Sequence, residues 1–247
     1  MSTCRSIYAV AKRELVSYFD SPVAYVFIII FLALNGFFTF MVSDFFARGQ
    51  ADLRPMFFWH PWLYLILVPA VGMRLWAEER RSGSMELLLT LPITAWQAIV
   101  AKFLAAWLFL ALALALTFPM VITVCVLGDP DGGAIVSGYV GSLLLAGVYL
   151  AVSMAMSSLT RSQVVSFVCS VVVCLLLVLA GWPPVTGMFE KWAGRWLVDG
   201  VAAFSVMPHF EDMQRGVIDS RDVIYCASVI VFFLFFTAVV IRNRRRV

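Results

Sequence analysis

The sequence predicts an all-α membrane protein with six transmembrane helices, and three observations carry that expectation. Of the 247 residues, 62% are apolar and only 13% charged, with a mean hydropathy of +0.94. A soluble domain has too few charged residues here to cover that much apolar surface, whereas a bilayer accepts it. Uncharged runs long enough to cross about 30 Å of hydrocarbon, which takes roughly 20 helical residues, then occur six times: Ser21 to Ser43, Pro55 to Met73, Phe103 to Gly128, Gly132 to Thr160, Ser162 to Phe189 and Val223 to Ile241. These runs are too long and too uniformly apolar for barrel strands, which alternate in polarity over about 10 residues. The whole chain, 1–247, reads as a single membrane domain with no stretch left for a soluble catalytic one.

Residues 4–19 place Ile7, Val10, Ala11, Leu15 and Phe19 near helical spacing, with Arg5, Lys12, Arg13 and Glu14 elsewhere on the wheel. That pattern predicts an amphipathic helix lying in the membrane interface. Asp20-Ser21-Pro22 turns the chain into span one, about 22–43, where Asn35 is expected to make a helix–helix hydrogen bond. Phe57, Phe58, Trp59 and Trp62 read as an aromatic belt at the entry to span two, about 56–76, and His60 among them reads as a belt residue. Span three, about 95–127, should kink at Pro119. Gly128 to Gly133 form a turn into span four, about 133–160, whose Gly138, Gly141, Gly147, Ser153 and Ser157 let other helices approach closely. After span five, about 163–182, Pro183-Pro184 breaks the helix. Residues 183–221 are expected to form short re-entrant or interfacial helices on the outer side, one of them around Met207 closed by Gly216. Asp219 or Ser220 caps span six, about 222–241, and the basic tail from Arg242 to Arg246 suits anionic headgroups.

With this topology twelve of the eighteen Lys and Arg residues fall on the side of the chain ends, and ten of the fifteen acidic residues on the other. The basic side faces the cytoplasm by the positive-inside rule, so both termini are expected there and the chain in a plasma membrane. The slight basicity is thus a topology signal and not a nucleic-acid patch, since no basic stretch is interleaved with stacking aromatics. No cleavable signal peptide is expected, because the first apolar run is too long for one. Five cysteines lack ligand spacing and read as buried thiols, with a Cys125–Cys226 disulfide as the alternative.

Between spans two and three lies the one charged island. Glu78, Glu79, Arg80 and Arg81 belong in water, Gly83 breaks the run, and Ser84 can cap a short helix with Glu86 in its first turn, ended by Pro92. That helix carries Met85, Leu87, Leu88, Leu89 and Leu91, more apolar surface than a polar loop needs. From the residues alone, an interfacial helix resting on the bilayer and a helix docked on another protein both meet that demand. Thr94-Ala95-Trp96-Gln97 then has the form of a capping box that starts the next helix.

The chemistry that is missing narrows the function. No lysine follows a glycine, so no P-loop is present. Two separated histidines and no close cysteine pair offer no metal site, and no cofactor is expected on this chain. The span interiors hold no charged group of the kind secondary transporters use for coupling ions, so any work must draw on an outside energy source. An enzyme is not expected. A non-transporting membrane scaffold or assembly factor and an ion channel remain the alternatives to a transporter subunit.

The order Glu79-Arg80-Arg81-Ser82-Gly83-Ser84-Met85-Glu86-Leu87-Leu88-Leu89-Thr90-Leu91-Pro92-Ile93 resembles the signature of ABC-2-type transporter permeases, and Ser84 stands where that family is expected to have threonine. Arg13-Glu14-Leu15, His209-Phe210 and Arg215-Gly216-Val217-Ile218-Asp219 are similar to the same family. Among its members the chain is most similar to small bacterial permeases of the gliding-motility and copper-accessory type. The resemblance implies that residues 78–93 are a cytoplasmic coupling element, with Glu79, Arg80, Gly83, Ser84, Glu86 and Leu87 meeting a separate ATPase subunit that holds the ATP and Mg²⁺. It also implies a second permease copy or a related permease as partner, within the bacterial inner membrane.

Overall fold

The structure, a computed structural model, describes residues 3–47, 49, 51–83, 94–189, 200 and 203–244. Among these residues all regular structure is helical, and the chain begins with α1 (Thr3–Phe19), α2 (Pro22–Phe37, extended by a π-turn over Phe38–Val42), α3 (Arg54–Gly72) and α4 (Arg74–Ser82). There follow α5 (Ala95–Ala115), α6 (Phe118–Leu127), α7 (Gly132–Leu159), α8 (Gln163–Leu179), α9 (Pro183–Phe189), α10 (Met207–Gln214) and α11 (Ser220–Arg244). Among the described residues, five stretches are long and apolar enough to cross a membrane: Pro22–Val42, Arg54–Ser82, Ala95–Leu127, Gly132–Leu159 and Ser220–Asn243. The expected fifth span is the shorter α8, which at about 1.5 Å per residue falls a few Å short of the hydrocarbon thickness. Its apolar run continues in the sequence, but Gly181 and the prolines at 183 and 184 end the helix early.

The core is built on α7, which packs against α3, α4, α5, α8, α10 and α11. Leu145, Val148, Tyr149, Leu150, Val152 and Met154 on α7 are all buried. Small residues set how near its neighbours come. A Cβ on Gly72 of α3 would lie 2.4 Å from the Ser153 Cβ, and one on Gly138 would lie 2.3 Å from the Phe57 ring. In lipid, where tails are as apolar as the side chains, such close packing supplies much of the helix association.

Two helices are interrupted at the positions their sequence dictates. Span three divides into α5 and α6 at Leu116–Thr117, where Pro119 sits in the first turn of α6 and cannot donate to the preceding turn. Tyr139 on α7 meets the Thr117 hydroxyl at 2.8 Å across that break. Span two is longer than expected and breaks at Met73, between α3 and α4.

Asn35 makes the helix–helix bond anticipated for it, but the partner is His60, at 3.1 Å between Nδ2 and Nε2. His60 therefore departs from the belt role: it is fully buried between α2 and α7, with Nδ1 2.6 Å from the Ser142 hydroxyl. Helix geometry explains the correction, since Phe57, His60 and Tyr64 share one face of α3 and that face turns inward. Phe58, on another face, is exposed as a belt residue would be. The Ser142 hydroxyl donates to the Gly138 carbonyl, so its lone pair accepts from His60 Nδ1–H, and His60 Nε2 accepts from Asn35. Every member of this row is satisfied with a neutral imidazole.

At the opposite end from Met73, α10 is pinned to the start of α11. His209 Nδ1 lies 2.7 Å from Asp222 Oδ1, and the Tyr225 ring stacks on His209 at 4.2 Å. Gly216, at φ +94°, ends this region as the sequence indicated, and Asp219 caps α11 by accepting from the Arg221 amide at 3.1 Å. That amide holds the Asp219 carboxyl below the usual carboxylate range. Cys125, Cys169, Cys174 and Cys226 are free thiols, and Cys125 is exposed on α6, not buried as expected.

Gly72→Ala should lower the unfolding free energy of the detergent-purified chain by ~1–3 kcal/mol through overpacking, and adding Ser153→Gly should restore most of it; thermal unfolding of the two variants measures both effects. His60→Leu should cost about 1 kcal/mol by the same measurement, because it strips Asn35 and Ser142 of their partner.

Candidate functional site

The site is the stem that carries the chain from span two into the charged island. α4 continues α3 past Met73, and the backbone groups freed there are taken up by one side chain. The Trp76 and Ala77 amides donate to Ser157 Oγ at 3.0 and 2.9 Å, while the Ser157 hydroxyl donates to the Met73 carbonyl at 2.9 Å. A break in a helix near lipid needs such replacement partners, and Ser157 at the end of α7 provides all three. The face of α4 formed by Leu75, Trp76 and Ala77 is buried, and Gly83 ends the helix with φ +73°, a left-handed value that favours glycine.

The charged residues of α4 are tied in as well. Arg80 Nη1 donates to the Ser158 carbonyl at 2.7 Å, fixing α4 to the last turn of α7. Glu79 Oε1 lies 2.8 Å from Lys102 Nζ, and the same ammonium is 3.1 Å from Glu14 Oε2 of α1. The Lys102 side chain is only 4% exposed and its Nζ is 5.6 Å from the centre of the Trp76 ring. A buried ammonium is costly unless paired, and here two carboxylates from two other helices supply the pairing. The position of Lys102 follows from the start of α5. Thr94 Oγ1 accepts from the Gln97 amide at 3.3 Å and the Gln97 side chain accepts from the Thr94 amide at 2.9 Å, the reciprocal cap expected from the sequence. Two turns later the helix delivers Lys102 beside Glu79.

α1 packs along α5. Arg5, Lys12 and Arg13 are exposed, and Tyr18 stacks on Phe109 with ring centres 5.2 Å apart. Burial, and secondarily Glu14, push the Tyr18 phenol well above its ordinary range, so it stays neutral. Glu14 is the exception to the wheel: it turns toward Lys102 instead of water.

Of the six residues expected at an ATPase contact, Glu79 and Arg80 are engaged within the chain, and Gly83 is exposed at the end of α4. Ser84, Glu86 and Leu87, with the short helix expected before Pro92, lie outside the described residues. No motif or spacing marks Lys102 and Ser157 as the residues that organise the stem. Lys102 was visible only as a lone cation at the margin of an apolar run, and Ser157 as one small residue among many. Among the described residues no three His, Cys, Asp or Glu side chains cluster in a way that could hold a metal ion. What the arrangement does physically is join α1, α4, α5 and α7 at one point.

Lys102→Met should destabilise the chain by about 3–5 kcal/mol, the usual cost of leaving buried charges uncompensated. The triple variant Lys102→Met, Glu79→Gln, Glu14→Gln should recover most of that loss in thermal unfolding, since it removes the unpaired carboxylates along with the ammonium.

Comparison with known proteins supplies the family. A comparison with curated proteins finds no match. The family model described as ABC-2 family transporter protein matches residues 41–197, more than half of the chain and inclusive of the stem, the Thr94 cap and all of α7. The several membrane-crossing helices agree with it. The chain belongs to the ABC-2 family of transporter proteins, as a transmembrane permease subunit of an ABC transporter.

Proposed function

We propose that this permease subunit couples ATP hydrolysis by a separate nucleotide-binding subunit to export or mechanical work across the bacterial inner membrane. Residues 78–93 are the element on which that subunit docks. The observation that carries this reading is the way α4 is held: Ser157 and Arg80 bind it to α7, and Lys102 binds it to α5 and α1. A segment merely lying on the bilayer has no need of such anchorage, whereas one that receives force must pass it to the spans.

In this reading the six contact residues divide into two roles. Glu79 and Arg80 form the root, transmitting motion inward, while Gly83, Ser84, Glu86 and Leu87 lie toward the partner. ATP and Mg²⁺ belong to that partner. The excess of Lys and Arg on the α4 side supports a cytoplasmic position for the segment and for both chain ends. A second copy of the chain or a related permease completes the pathway, and the apolar side chains exposed on the spans, such as Ile29, Phe118, Leu176 and Phe232, are free for it or for lipid.

The test leaves the root intact. Glu86→Lys with Leu87→Asp should reduce the co-purifying ATPase by at least about tenfold, the ~1.4 kcal/mol or more of a central contact residue, with membrane insertion and unfolding midpoint unchanged. Undiminished co-purification overturns the docking role. A scaffold would show no nucleotide-dependent change in α9 and α10, which hydrogen exchange with and without ATP on the complex would read.

A further inference from the structure

A cavity of about 420 Å³ opens beside the Lys102 cluster, walled by α1, α2, α3, α4 and α5. Its two ends differ in chemistry. One is apolar, formed by Phe27, Val71 and Phe109; the other carries Glu14, Glu78 and Glu79 against Arg74 and Lys102. The cavity straddles the edge of the bilayer. Ala95–Leu127 is a stretch of 33 residues, about 50 Å at ~1.5 Å per residue, and so exceeds the roughly 30 Å of hydrocarbon by several turns. Lys102, near the start of that stretch, lies at headgroup depth, and Phe109, about 10 Å further along, lies among acyl chains. An occupant must be polar at one end and apolar at the other.

The charges specify which polar group. Lys102 is already shared by Glu14 and Glu79, and the second oxygen of Glu79, Oε2, is buried with no hydrogen-bond partner. That oxygen is short of a donor. Arg74 is half-buried and Glu78 exposed, one turn apart on α4, and no ion pair joins them among the described residues. A guanidinium favours a phosphate, and carboxylates favour an ammonium with N–H groups to donate. The volume is that of a small-ligand site, of the order of 300–1,000 Å³; it accommodates a headgroup and leaves the chains in the bilayer.

We propose that this cavity binds the headgroup of a zwitterionic primary-ammonium phospholipid, the ethanolamine class, drawn from the leaflet on the α1 side. The ammonium sits among the carboxylates of Glu14, Glu78 and Glu79, the phosphate sits on Arg74, and the first carbons of a chain run along Phe27 and Phe109. Bound there, the lipid braces α1 against α4 at the root of the stem.

The test uses the full chain alone in detergent, so its outcome is independent of ATPase docking. Phosphatidylethanolamine, phosphatidylcholine, phosphatidylglycerol and dodecylammonium are added separately at equal concentration, and the bound fraction is read by native mass spectrometry. Phosphatidylethanolamine should be retained about tenfold more strongly than the other three, since choline has no N–H, phosphatidylglycerol no cation and the amine no phosphate. Arg74→Gln and Glu78→Gln should each weaken that retention about tenfold, with the lipid-free unfolding midpoint unmoved. Equal retention of the three phospholipids overturns the proposal, as does retention unaltered in both variants. Dodecylammonium bound as well as phosphatidylethanolamine also overturns it, because the phosphate then has no role.

Discussion

Burying one ammonium at the edge of the bilayer sets the constraint that the rest of the molecule obeys. Lys102 has almost no contact with water, so its charge demands carboxylates within about 3 Å, and these come from Glu14 and Glu79 on separate helices. None of the three groups can leave without stranding the others. The interface helix, the stem after span two and the first turns of span three are therefore one mechanical unit, although they lie far apart in the chain.

The same economy governs the backbone. Where span two is interrupted at Met73, three peptide groups lose their helical partners, and Ser157 satisfies all of them. Where span three is interrupted by Pro119, Thr117 and Tyr139 bridge the gap. The row Asn35, His60, Ser142 and the Gly138 carbonyl follows the same rule in the interior, with each donor matched to one acceptor. Polar groups here are joints between helices that otherwise have only dispersion and close packing to hold them.

For a permease subunit of the ABC-2 family this construction has a direct consequence. The segment between Gly83 and Thr94 is rooted at both ends: α4 on one side is fastened to α7, α5 and α1, and the reciprocal cap of Thr94 and Gln97 on the other starts α5 rigidly. In the proposed docking role, motion imposed there would reach spans two, three and four together. The lipid proposed for the cavity beside Lys102 would place a second influence, membrane composition, at that same root.

The sequence by itself determined the class, the order of the spans, the amphipathic interface helix, the breaks at Pro119 and Pro183, and the cap at Thr94. Each of these follows from local properties: hydropathy over about 20 residues, the missing amide of proline, the reach of one side chain to its own backbone. It also carried the family, because the run from Glu79 onward is continuous in sequence. Only the tertiary structure decided that His60 faces inward, that Glu14 leaves the water, and that Lys102 and Ser157 hold the stem. Those outcomes depend on which face of a helix meets which neighbour, across separations such as the 81 residues between Trp76 and Ser157, and hydropathy, which averages over faces, holds no record of them.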